Sequence, residues 1–151
     1  MFQDTIVYWA LLVTLIICGW ILVNDHRVGK KLLQLGFSFQ NESEFVKQIA
    51  RLFEDLRYEV KRKQRYLLVK KNSETILVVP RISNKLIKAK LIRDVIAAKG
   101  QYKANKAIVI TNNRFNWLAK DLANMSKVEL WDGKELYKKA ISSKCETETK
   151  L

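Results

Sequence analysis

TILVVPRIS, residues 75–83, contains the only proline of the chain. Its four consecutive apolar residues, Ile76 to Val79, read as the middle of a strand buried on both faces. Pro80 has no N–H to donate and belongs at a strand edge or end. Either the strand stops there or the position has a special use. The flanking sequence makes this strand half of a hairpin: RYLLVKK (65–71) has an apolar centre, Asn72-Ser73 is a turn signal, and TILVVPRI (75–82) returns alongside. A short basic strand, YEVKRK (58–63), precedes the pair.

Working outward, Asn41 and Glu44 have the N-cap and N3 spacing of a capping-box-like helix start. Phe45, Ile49, Phe53 and Leu56 then recur at helical spacing, with Leu52 beside them, and the helix should end near Arg57. Beyond the proline, NKLIKAKLIRDVIAAKG (84–100) predicts a helix with Asn84 as N-cap, Gly100 as C-cap and a core stripe of Ile87, Leu91, Val95 and Ala98. KAIVIT (106–111) is a compact strand. RFNWLAKDLAN (114–124) is a helix with Phe115, Leu118 and Leu122 on one face. KVELWD (127–132) is the last strand, KELYKKAI (134–141) a short last helix, and SSKCETETKL (142–151) a polar tail expected to be disordered. A hairpin-rich start followed by β-α-β crossovers implies an α/β domain, a mixed central sheet flanked by helices on both faces.

The chain of 151 residues carries 28 Lys and Arg against 15 Asp and Glu. No cation precedes Arg27, whereas Asp4 and Asp25 do, so the excess from Arg27 onward is +15. A field of that sign favours polyanionic partners, nucleic acid or an anionic membrane surface. Cys18 and Cys145 form neither a disulfide framework nor zinc spacing, and His26 is the only histidine. There is no glycine-rich phosphate loop and no Ser/His/Asp set.

Residues 6–23, IVYWALLVTLIICGWILV, are free of charge. As a helix they would span roughly 27 Å, close to a bilayer core of ~30 Å, with Tyr8, Trp9 and Trp20 near the ends. The flank MFQDT is acidic and no A-x-A site follows, which argues against a cleaved signal peptide. Arg27, Lys30 and Lys31 follow the run. The expectation is a single-pass membrane protein with its N-terminus outside, a connector at 24–41, and a cytoplasmic domain at 42–141 in a reducing compartment.

Within KANKAIVITNNRFNWLAKDLANMSKVELWDGKEL, the residues Thr111-Asn112, Phe115, Ala119-Lys120, Leu122-Ala123, Val128-Glu129-Leu130, Asp132 and Leu136 resemble the C-terminal half of the Mrr-like restriction endonuclease family. EFVKQIARLFEDLRYEV is similar to that family's opening helix and first strand. The resemblance covers about residues 42–140 and implies the PD-(D/E)xK, restriction-endonuclease-like fold. It also implies a metal site with an acid at the start of the second strand, and Glu or Gln, one residue, then Lys on the third. Carboxylates there hold a divalent metal that activates water, while the lysine assists the reaction. Aligning the hairpin about Asn72-Ser73 puts Tyr66 at the first acid, Val79 at the second, Pro80 between and Arg81 at the lysine. No carboxylate lies between Lys61 and Ser73. Glu44 stands near an auxiliary acid of some family members.

Each of these positions has a plainer reading. Arg81 pairs well with phosphate but is equally a solvated charge at a strand end, and it stays protonated, which suits proton transfer poorly. Tyr66 and Val79 suit an ordinary core, and Glu44 suits a helix N-terminus. Lys61, Arg62, Lys63, Arg65, Lys85, Lys88, Lys90 and Arg93 cluster around the hairpin and the next helix, as a solvated face or, with Arg81, as a nucleic-acid surface. Asn112 and Asn113 suit capping. The sequence therefore points to a nuclease-fold domain that binds DNA without cleaving it and needs no cofactor. Two competitors stand beside this reading. One is an active Mg²⁺-dependent endonuclease with relocated carboxylates Glu44, Glu59 and Glu74. The other is an interaction module binding anionic lipid, an acidic protein or a second copy of the chain.

Overall fold

The computed structural model describes residues 2–148, with side chains at 8–20 and 27–145. Five strands form one sheet in the order β1-β2-β3-β4-β5. They are β1 (Glu59–Arg62), β2 (Leu67–Lys71), β3 (Glu74–Arg81), β4 (Lys106–Thr111) and β5 (Val128–Trp131). The first three pair antiparallel, with Lys71 opposite Glu74 and Leu67 opposite Val78, and β3, β4 and β5 run parallel. Asn72 and Ser73 both have positive φ, 49° and 68°, which a two-residue hairpin turn of this hand requires. The hairpin register read about that turn is therefore the one observed.

β3 does not stop at its proline. It runs to Arg81, with Pro80 beside Ile110 of β4 and Arg81 beside Thr111. The pairing with β2 has already ended at Val78, so on that side no ladder bond is left unmade by the missing N–H. β3 lies between two cores. Ile76 and Val78, with Ile108 and Ile110 of β4, face α2 (Glu42–Asp55) and α5 (Gly133–Glu148), where Phe45, Ile49, Phe53, Leu136 and Ala140 are buried. Leu77 and Val79, with Ala107 and Val109, face α3 (Ala89–Gln101) and α4 (Trp117–Ser126) through Ile92, Val95, Ala119 and Ala123. The helices that connect parallel strands thus share one face, as right-handed crossovers require.

The first helix differs most from expectation. α1 runs unbroken from Phe2 to Gln34, through the segment expected as a connector. It ends in a Schellman motif: Gly36, at φ 89°, donates to Leu33 O at 3.0 Å, and Phe37 donates to Leu32 O at 3.1 Å. Leu32 is 1% exposed, and Val28 and Leu35 pack against the same core. Among the described residues no helix is long and apolar enough to cross a membrane, which overturns the expected single-pass arrangement and its outside-to-cytoplasm orientation. The apolar side chains described run from Tyr8 to Trp20, about 20 Å of helix against a hydrocarbon core of ~30 Å. Both ends of the 6–23 run lie outside the described side chains.

Three other boundaries move. α3 starts at Ala89 rather than Asn84, because the Ile87 backbone is taken by a parallel bridge to Phe115: Ile87 N–H donates to Arg114 O at 2.9 Å and Asn116 N–H to Ile87 O at 3.0 Å. Its left-handed stop is Lys103, φ 50°, not Gly100. α4 buries Ala119 and Ala123 where Leu118 and Leu122 were expected; Leu118 is exposed and Leu122 half-buried. Small residues let that helix lie close on the sheet. α5 continues to Glu148 through much of the segment expected as a disordered tail, and Ser143 is buried with its hydroxyl donating to Ala140 O at 2.8 Å. Residues 149–151 of that segment lie outside the described residues.

At the start of β3 and β4, Thr75 and Asn105 exchange two 2.8 Å hydrogen bonds and Lys106 meets Glu74 at 2.8 Å. The hydrogen bond to Glu74, and then its charge, raise the Lys106 pKa above the ordinary 10.5. That contribution is fully present below 10.5 and is lost only as pH climbs past the raised value. The centre of the α2 face is Phe53, stacked on Trp131 at 5.7 Å and edge-on to Tyr58 at 5.5 Å. Phe53→Ala should lower unfolding free energy by about 3–5 kcal/mol in a urea titration, whereas Met125→Ala, at an exposed position, should change it by under about 0.5 kcal/mol.

Candidate nucleic-acid cleft

Because β3 outruns β2, the end of the hairpin leaves a gap between α2 and α3. The gap is a cleft of about 700 Å³. Its floor is Tyr66, Val79 and Pro80, with Val46, Leu91 and Val95 on the walls; its rim carries Glu42, Lys47, Arg62, Lys63, Arg65, Arg81 and Asp94. The three positions singled out by the hairpin alignment, Tyr66, Val79 and Arg81, therefore meet in one place. That place is open rather than packed shut.

Each floor residue is held by its neighbours. Val79 is 3% exposed and belongs to the α3 core. Tyr66 is half-buried, with its ring at 5.9 Å from Tyr102 in an edge-on arrangement. A tight loop presents it: Lys63 N–H donates to Tyr66 O at 2.8 Å and Tyr66 N–H returns to Lys63 O at 3.3 Å. Lys63 and Arg65 of the same loop line the cleft with Arg62, the last residue of β1, while Lys61, one residue earlier on the strand, pairs with Glu59 at 3.3 Å. Arg81 reaches α2, donating from Nη1 to Glu42 Oε1 at 3.0 Å. Both side chains are about half exposed, so the pair adds little stability; its effect is to place a carboxylate against the Arg81 guanidinium.

Not every residue singled out in the sequence reaches the cleft. Glu44 does not line the cleft; it lies 3.9 Å from Lys47. The cleft acid of α2 is Glu42, at the first helical position after Asn41, whose side chain accepts from Ser43 N–H. Glu59 and Glu74 stand at the other end of the sheet, near the Asn72-Ser73 turn, where Glu59 faces Lys70 and Glu74 faces Lys71. The three proposed relocated carboxylates are therefore not brought together. Lys85, Lys88 and Arg93 lie outside the cleft lining. Asp94, which lines it, was missed; its only sequence signal is its place beside Leu91 and Val95 on the α3 stripe.

The donor set does not suit a divalent metal. Such ions take several oxygen ligands, with carboxylates central. Here the cleft offers Glu42, already bound to Arg81, and Asp94 on the facing helix, amid five cations. Among the described residues no group of three His, Cys, Asp or Glu is arranged to hold a metal.

The asparagines of the TNNR loop have structural work. Asn112 Oδ1 accepts from Ser83 N–H at 2.9 Å, and Asn113 Nδ2 donates to Ser83 O at 3.0 Å, tying the segment after β3 to the end of β4. Asn112→Ala should cost about 1 kcal/mol or more by leaving that N–H without its acceptor, read as a lowered urea midpoint at unchanged m-value.

With this geometry in place, three comparisons bear on the chain. The Mrr_cat family, a restriction endonuclease family, matches residues 39–139. Among solved structures, a protein of unknown function, AF1548, is 17% identical with a TM-score of 0.51, over 56% of this chain and 54% of that one. EndoMS in its apo form is 13% identical with a TM-score of 0.48, over 61% of this chain and 45% of that one. The match takes in about half of each solved chain, and with AF1548, at 17% identity, the likeness is one of fold. A comparison with curated proteins finds no match.

Proposed function

This chain belongs to the Mrr_cat restriction endonuclease family, and from that membership we propose that its domain binds DNA through the cleft without cleaving it. The observation that carries this reading is the lining of the cleft. Lys47, Arg62, Lys63, Arg65 and Arg81 surround it against Glu42 and Asp94, a net positive mouth suited to a phosphate backbone. At the two strand positions where the family resemblance calls for metal-binding acids stand Tyr66 and Val79. Arg81, at the lysine position, can pair with phosphate but is a poor stand-in for a lysine in proton transfer. Two separated carboxylates, one of them held by Arg81, are a poor fit to the metal that hydrolysis in this family requires.

In this reading Glu42 is a competitor for Arg81. Removing its charge leaves Arg81 to the DNA. Glu42→Gln should change stability by under about 0.5 kcal/mol and tighten duplex binding a few-fold, on the scale of one contact charge in water, ~1 kcal/mol. Arg81→Ala should weaken binding and make the salt dependence shallower by about 0.9 in log–log slope. Fluorescence anisotropy on a labelled duplex at several salt concentrations measures both. Incubation of the protein with plasmid and Mg²⁺ or Mn²⁺ tests the second half of the proposal. Intact supercoiled plasmid is expected; nicking that Glu42→Gln or Asp94→Asn abolishes would establish an active nuclease instead.

A further inference from the structure

A second surface at the same end of the sheet is built unlike the cleft. The parallel bridge between Ile87 and Phe115 turns both side chains inward, where they are 5% and 6% exposed. Side chains alternate across an extended backbone, so Leu86, next to Ile87, points out, while Trp117 is set outward by the start of α4. Leu86 is 52% exposed and Trp117, the first residue of α4, is 72% exposed. Lys85 and Lys88 flank Leu86 and are exposed, as is Lys120 one turn along α4 from Trp117. The sequence around this surface is free of acids: no Asp or Glu occurs from Arg81 to Arg93, nor from Ala107 to Lys120. The nearest carboxylate on α4 is Asp121, one residue past Lys120.

A tryptophan indole costs free energy when left in water, and here the fold holds it there. Asn116 caps α4 by accepting from Ala119 N–H at 2.8 Å and donates its own N–H to Ile87 O, so the backbone that carries Trp117 is anchored. An exposed indole on an anchored stretch of backbone, among cations and with few acids near it, suits a polyanion that also offers flat apolar faces. Nucleic acid with unpaired bases has both. A blunt duplex offers the phosphates but keeps its base faces stacked away.

We propose that Trp117 is a stacking platform for an unpaired base, with Lys85, Lys88 and Lys120 holding the adjoining phosphates. The protein would then favour single-stranded or forked DNA over blunt duplex. The inference rests on the DNA-binding reading above and extends it to a second contact on the β4 side of the cleft.

The test uses the full chain and three labelled probes of equal length: a single strand, a forked duplex and a blunt duplex. Wild type is expected to bind the first two more tightly than the third. Trp117→Ala should weaken single-strand and fork binding about tenfold, in the range of base–aromatic stacking, and leave blunt-duplex binding within about twofold. Trp117→Phe should restore most of the loss, since a ring remains. Lys85→Ala/Lys88→Ala should weaken single-strand and fork binding and make its salt dependence shallower by about 0.7 per lost contact. If Trp117→Ala binds all three probes like wild type, the stacking platform is wrong while DNA binding at the cleft stands. If in addition Trp117→Ala turns a dimer into a monomer in sedimentation, the surface belongs to a second copy of the chain. If wild type binds none of the probes, both readings fall together.

Discussion

The structure depends on β3 being buried on both faces. Ile76 and Val78 anchor the core under α2 and α5, and Leu77 and Val79 anchor the one under α3 and α4. A single strand thus joins two apolar layers, and its pairing partners differ on its two sides: antiparallel β2 and parallel β4. This also limits what the strand can display. Val79 is 3% exposed, so a carboxylate there would lose most of its hydration and would require a cation or a metal to offset that. Filling the position with valine gains apolar burial. The strand is continuous core up to the proline.

The cleft follows from the unequal lengths of two strands. β2 begins at Leu67, opposite Val78, and β3 goes on to Arg81. The overhang is supported by β4 alone, so on the β2 side the space between α2 and α3 stays open. Pro80 suits this place because a strand edge without a partner makes no use of an N–H, and the proline blocks further pairing there. The proline that looks like an interruption in the sequence is the mark of a one-sided strand end. Three of the five cations of the cleft come from a different place, Arg62 at the end of β1 and Lys63 and Arg65 in the loop after it, which β1–β2 pairing carries there.

Local chemistry made much of this legible in advance. The Asn72-Ser73 turn fixed the hairpin register, and the apolar run 106–111 matched β4 residue for residue. The failures are where a tertiary contact overrides a local pattern. Ile87 has the spacing of a helix residue, yet its backbone is hydrogen-bonded to residues 114 and 116, far along the chain. Leu118 and Leu122 outrank Ala119 and Ala123 in hydropathy, but close approach to the sheet favours the smaller side chains. Gly36 followed by Phe37 was a readable helix stop, overlooked because the apolar run before it suggested a boundary at residue 23. Glu42 and Asp94 gave no signal of shared use, since only the fold brings the start of α2 opposite the middle of α3. Tyr66, Val79 and Arg81 were found together because a hairpin is a local structure whose register the turn determines.

The two ends of the sheet differ in charge for reasons of topology. At the turn end the acids have lysine partners, Glu59 with Lys61 and Glu74 with Lys106. At the other end β3 and β4 both finish, being parallel, and the segments that follow them carry no acid before Asp94 and Asp121. Parallel pairing therefore collects two acid-free basic loops side by side, and antiparallel pairing of β1 and β2 adds a third, the loop at residues 63–66. A field focused on one edge of the molecule needs no special fold. It needs acids to be left out of the segments that the strand directions bring together, and the carboxylates that do occur nearby, Glu42 and Asp94, line the cleft, where they moderate that field. A polyanion approaching this edge would meet the cations of three loops, and at Arg81 it would have to displace Glu42, exchanging one anionic partner for another.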